Sequence, residues 1–60
     1  MRYTYRVSVF WHSVGRWLKF GAQSRLHGEQ LAASVFVDPD CVYVMVSLES
    51  TGEVLSRRSR

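Results

Sequence analysis

Tyr3-Thr4-Tyr5-Arg6-Val7-Ser8-Val9-Phe10-Trp11-His12 decides the fold. Tyr3, Tyr5, Val7, Val9 and Trp11 fall on one side of an extended chain. Arg2, Thr4, Arg6, Ser8, Phe10 and His12 fall on the other. A period of two with this content of β-branched and aromatic residues predicts a half-buried strand. Ser13-Val14-Gly15 predicts a short hairpin loop, with Gly15 supplying a positive φ. Arg16 to Phe20 then returns as a second strand, with Leu18 and Phe20 inward and Trp17 and Lys19 outward.

Beyond a connector at Gly21-Ala22-Gln23, the period changes. The Ser24 hydroxyl can cap a helix. From Arg25 to Val37 the residues Leu26, Leu31, Ala32, Val35 and Phe36 form a one-sided stripe, interrupted by Gly28, a poor helix former. Pro39 disfavours helical geometry at Asp38 and ends the helix at Asp38-Pro39-Asp40. Cys41 to Glu49 alternates again. Val42, Val44, Val46 and Leu48 form an apolar face opposite Cys41, Tyr43, Met45, Ser47 and Glu49. Ser50-Thr51-Gly52 repeats the Ser-x-Gly loop of residues 13–15, and Glu53 to about Arg57 closes a second hairpin. The expected fold is α+β with order ββαββ: a four-stranded, mainly antiparallel sheet with one helix on one face. The domain is expected over residues 1–56, followed by a basic tail at 57–60.

Sixty residues allow one small domain. At this size apolar burial contributes about 90 kcal/mol, and ordering the chain costs about 90 kcal/mol. Such a domain gains from a disulfide, a metal or a partner. Cys41 is the only cysteine, so an internal disulfide is excluded, and His12 and His27 make no metal set with it at any familiar spacing. A partner is the remaining stabiliser. The lone thiol fits a reducing, cytoplasmic setting and is expected to be inert and half-buried. No apolar run spans a membrane, and the alternating N-terminus lacks the apolar stretch of a signal peptide.

One helix covers one sheet face, so the other face is the informative surface. It is expected to carry Arg6, Ser8, Phe10 and His12, then Trp17 and Lys19, then Tyr43 and Met45. A solvated sheet face should be mostly polar, and this one exposes aromatics and a methionine among cations. Three coverings fit. The first is a second copy, making a homodimer. The second is another protein, for which Trp, Tyr, Met and Arg are typical anchors. The third is single-stranded DNA or RNA, with bases on Phe10, Trp17 or Tyr43 and phosphates on Arg6, Lys19, Arg57, Arg58 and Arg60. Eight Lys/Arg against five Asp/Glu leave a net charge of +3. The charges run in blocks: five basic residues from Met1 to Gly28, five acidic from Glu29 to Glu53, three arginines thereafter. A bipolar chain with modest net charge favours a protein partner over nucleic acid. The expected partner-binding residues are Arg6, Phe10, Trp17, Lys19, Tyr43 and Met45.

Catalysis is not expected. There is no glycine-rich phosphate loop, Cys-x-x-Cys, His-Glu-x-x-His or Gly-x-Ser-x-Gly. His12, Ser13 and an acid could form a triad only on paper, because so short a chain has no second lobe to enclose a pocket. No cofactor, metal or small-molecule substrate is implied.

The pattern Trp17…Phe20…Ser24…Glu29-x-Leu31-Ala32…Val42-x-Val44…Ser50-Thr51-Gly52-Glu53-Val54 resembles small orphan accessory proteins of phages and other mobile elements. These pair a short hairpin with a helix and a closing hairpin. The chain is also similar to half of a SPOR-type fold, without that family's glycan-binding pattern. The phage resemblance implies a small inhibitor or adaptor that occludes a surface of a host protein complex in the host cytoplasm.

Overall fold

The structure, a computed structural model, describes residues 4–59. Arg2, Tyr3 and Arg60 lie outside the described residues. Strands β1 (Tyr5–Trp11) and β2 (Arg16–Ala22) form the first hairpin, helix α1 (Arg25–Phe36) follows, and β3 (Cys41–Leu48) and β4 (Val54–Ser59) form the second. All four strands join one sheet in the order β2-β1-β3-β4, and every pairing is antiparallel. The α+β class and the ββαββ order follow from the alternation and the two turns.

Both loops solve the same problem in the same way. The Gly15 N–H donates to the Trp11 carbonyl at 3.0 Å, and the Gly52 N–H donates to the Leu48 carbonyl at 2.8 Å. Each glycine sits at positive φ, 72° and 78°, where a side chain is strained. Ser24 caps α1, its hydroxyl accepting from the His27 N–H at 3.1 Å. The helix stops at Phe36 with Val37 as its C-cap. Asp38 then forms an Asx turn, its carboxylate accepting from the Asp40 N–H at 2.9 Å.

The core is made of small residues: Val7, Val9, Ala22, Ala32, Cys41, Val44 and Val46 are fully or almost fully buried. Tyr5, Trp11, Leu31, Val35 and Phe36 close its margins. Helix and sheet approach closely at Gly28. A Cβ there would lie 3.1 Å from Val46 Cγ1, 3.6 Å from Ala22 Cβ and 3.7 Å from Val7 Cγ2. The glycine that weakens the helical pattern is what allows the helix to seat.

Several boundaries and faces differ from expectation. β1 stops at Trp11, so His12 belongs to the loop and not to the open face. β2 runs on through Gly21 and Ala22, because Ala22 pairs with Tyr5 and enters the core. A register shift between Phe10 and Trp11 pairs Trp11 with Cys41, which turns Cys41 into the core instead of leaving it half-buried on the open side. β4 continues to Ser59, so Arg57 and Arg58 stand in the sheet and not in a tail. Leu26 is exposed instead of joining the helical stripe. Phe20 points to the helix side but stays 44% exposed. The cause is lateral placement: α1 lies over β3 and β1 and reaches β2 only with its flank. Beside Phe20 this leaves a groove of about 480 Å³, lined by Val7, Lys19, Phe20, Gly21, Leu31 and Val35.

Candidate docking face

The sheet face away from α1 is built by strict register. Trp17, Phe10, Tyr43 and Ser59 form one row across β2, β1, β3 and β4. Lys19, Ser8, Met45 and Arg57 form the next. Gly21, Arg6, Ser47 and Val54 form the third. All six expected partner-binding residues therefore share one face, and Arg57 joins them. Arg58 does not: it pairs with the buried Val44 and so lies on the helix side.

The aromatic row is packed into a unit. The Trp17 ring meets Phe10 at a centroid distance of 5.5 Å and an angle of 61°. It also meets Tyr43, one strand further, at 5.3 Å and 76°. Edge-to-face packing of this kind holds rings in place beyond the effect of area burial. Trp17 keeps 43% of its surface exposed. The result is a large apolar anchor whose orientation is already fixed by its neighbours.

The cations differ in state. Arg6 makes a fork with Glu49, Nε donating to Oε2 at 2.7 Å and the second guanidinium nitrogen donating to Oε1. That hydrogen bond, aided by the charges of Arg6 and Lys19, holds the Glu49 carboxyl below its usual range despite some opposing desolvation. Lys19 and Arg57 are exposed, and neither takes part in an ion pair with a described residue. They flank Met45 and the buried Ser8 in the middle row. Ser8 and Ser47, only 5% and 8% exposed, form a shallow, covered floor between the longer side chains. Their burial is not legible from composition. It follows from having strands on both sides, because Ser8 and Ser47 belong to the two central strands.

At the end of the sheet with the first loop, Asp40 ties two connections together. The Ser13 N–H donates to both of its carboxylate oxygens at 3.2 Å, and the Ser13 hydroxyl donates to Oδ2. The His12 N–H donates to the Asp40 carbonyl at 2.9 Å. The Ser13 hydroxyl bond is the main reason the Asp40 carboxyl titrates below its usual range. Ser13 thus bonds the acid directly and clamps the first hairpin loop to the connection between α1 and β3. Among the described residues no cluster of three or more His, Cys, Asp or Glu could hold a metal. No helix among them is long and apolar enough to cross a membrane.

No known protein family, curated protein or solved structure matches this chain.

Proposed function

We propose that this protein is a small non-enzymatic docking module that uses its open sheet face to cover a surface of another protein, as an inhibitor or adaptor does. The observation that carries this reading is Trp17, half exposed and held on edge by Phe10 and Tyr43. An anchor that is already ordered loses little entropy on binding. Aromatic residues with a cationic rim are the side chains in which binding energy concentrates at protein interfaces. A single-stranded nucleic acid needs free ring faces for its bases and unpaired cations for its phosphates. Here the rings engage one another, Arg6 is bound to Glu49, and Arg58 points to the other side of the sheet, which leaves Lys19 and Arg57 as the cations of this face without an ion pair among the described residues.

The test is a pull-down from host lysate, split in two with nuclease in one half, followed by affinity measurements on the recovered partner. Recovery is expected to survive nuclease. Trp17→Ala is expected to weaken the complex by about 2 kcal/mol or more without loss of the folded circular-dichroism spectrum. Unchanged affinity for Trp17→Ala, or recovery that collapses with nuclease, overturns the reading.

A further inference from the structure

The two edges of the sheet are unlike. β4 carries a register shift against β3 between Val46 and Ser47 and the consecutive arginines Arg57 and Arg58. A bulge and clustered charge are the devices that discourage a further strand from adding. β2 has no such protection by shape. All seven of its residues pair with β1 without a shift, and it contains no proline. Two large apolar side chains project from it to opposite faces: Trp17 at 43% and Phe20 at 44% exposure. The groove on the helix side runs along the same strand. A straight edge without bulge or proline, bearing exposed apolar groups on both faces, is a template for another strand that can match its two cations, Arg16 and Lys19.

We propose that the occupant is a second copy of this chain, joined β2 to β2 in an antiparallel register centred on Leu18. The chemistry of the strand itself selects both partner and register. Residues opposite one another in an antiparallel pair share a face, so a twofold axis relating two β2 strands must pass through a residue position. An axis at Lys19 would set two ammonium groups against each other, which is unfavourable. An axis at Phe20 would set Lys19 against Gly21 and leave Trp17 beyond the end of the partner's strand. An axis at Leu18 sets Lys19 of each copy against Trp17 of the other on the open face. It also sets Arg16 of each copy against Phe20 of the other on the helix side. Both cations of the strand then meet an aromatic ring, the pairing that a ring quadrupole favours. The stem of Arg16 can cover the bare Phe20. The two four-stranded sheets become one continuous sheet, with both Trp17 clusters on the same side.

The test begins with the unaltered chain. Sedimentation velocity or light scattering over a concentration series is expected to show the mass rise from 7.0 kDa toward twice that value. Variants with one added cysteine each then read the register. Leu18→Cys is expected to form a disulfide-linked dimer at least tenfold faster under mild oxidation than Lys19→Cys, Phe20→Cys or Met45→Cys. The native Cys41 is buried and common to all four. A mass fixed at 7.0 kDa up to about 1 mM protein overturns the proposal. Fastest crosslinking at Lys19 or Phe20 overturns the register. Fastest crosslinking at Met45 overturns the edge in favour of face-to-face packing. Partner binding through the open face is scored separately, so either proposal can fail while the other stands.

Discussion

Replacing Gly28 by alanine sets two known effects against each other at one atom. Alanine is the better helix former by about 1 kcal/mol, and on that ground alone Gly28→Ala would stabilise α1. The new Cβ, however, would sit 3.1 Å from Val46 Cγ1, where carbon atoms prefer about 3.5–4.0 Å. Val46 cannot yield easily. It is fully buried, it lies in the central strand β3, and its branched Cβ restricts χ1. Sliding the helix sideways tightens the contacts to Ala22 Cβ at 3.6 Å and Val7 Cγ2 at 3.7 Å. The helix must lift, and overpacking of this kind costs about 2 kcal/mol. The expected net effect is destabilisation by about 1 kcal/mol, or a fall in Tm of about 4–8 °C for a domain of this size. Urea unfolding should show a lower midpoint at unchanged slope. Val46→Ala removes the obstructing methyl and on its own costs about 2 kcal/mol. The double variant should cost less than the sum of the single changes, because the two sites couple through the same contact. A raised midpoint for Gly28→Ala, or strict additivity with Val46→Ala, would refute the claim that this glycine is there for close approach.

Other expectations concern the caps, the turns and the charges. Ser24→Ala should cost about 1 kcal/mol in chemical unfolding by removing the bond to the His27 N–H; no measurable change would mean water caps the helix equally well. Gly52→Ala should cost about 1–2 kcal/mol because its φ of 78° lies in the left-handed region, and the readout is the thermal midpoint. Glu49 and Asp40 both have carboxyls lowered in the folded state. Their contribution is therefore complete above the ordinary carboxyl range and is lost as pH falls through the lowered folded values. Thermal midpoints should accordingly drop on acidification below that range, and Arg6→Ala should return Glu49 to an ordinary NMR titration; a Glu49 titration unmoved by Arg6→Ala would remove the fork as its cause.

Much of the fold was legible because local signals agreed with one another. Alternation from Tyr5 to Trp11 and from Val42 to Leu48, the Ser-x-Gly loops and the Ser24 cap are all read from neighbours in the chain. The misplacements arise where position depends on distant contacts. Cys41 could not be assigned to the core without the shift that pairs it with Trp11. The exposure of Leu26 and Phe20 depends on how far α1 reaches across the sheet. The candidate face was legible as a set of residues, since parity alone puts Phe10, Trp17, Tyr43 and Met45 on one side. Its electrostatics were not. The fork between Arg6 and Glu49 joins residues 43 positions apart and becomes visible only when β1 and β3 are neighbours.

That adjacency also governs how quickly the chain can find its structure. Each hairpin contributes one central strand and one outer strand, and each can zip from its own glycine turn using contacts close in sequence. The seam between β1 and β3 is the long-range event, and closing the chain between them must be met before it rewards anything. Val9 and Val44, opposed across that seam and fully buried, are thus where the folding barrier is expected to sit. Truncating either to alanine should slow refolding in stopped-flow traces. Truncating Trp17 or Val54 on the outer strands should leave refolding nearly unchanged and mainly hasten unfolding.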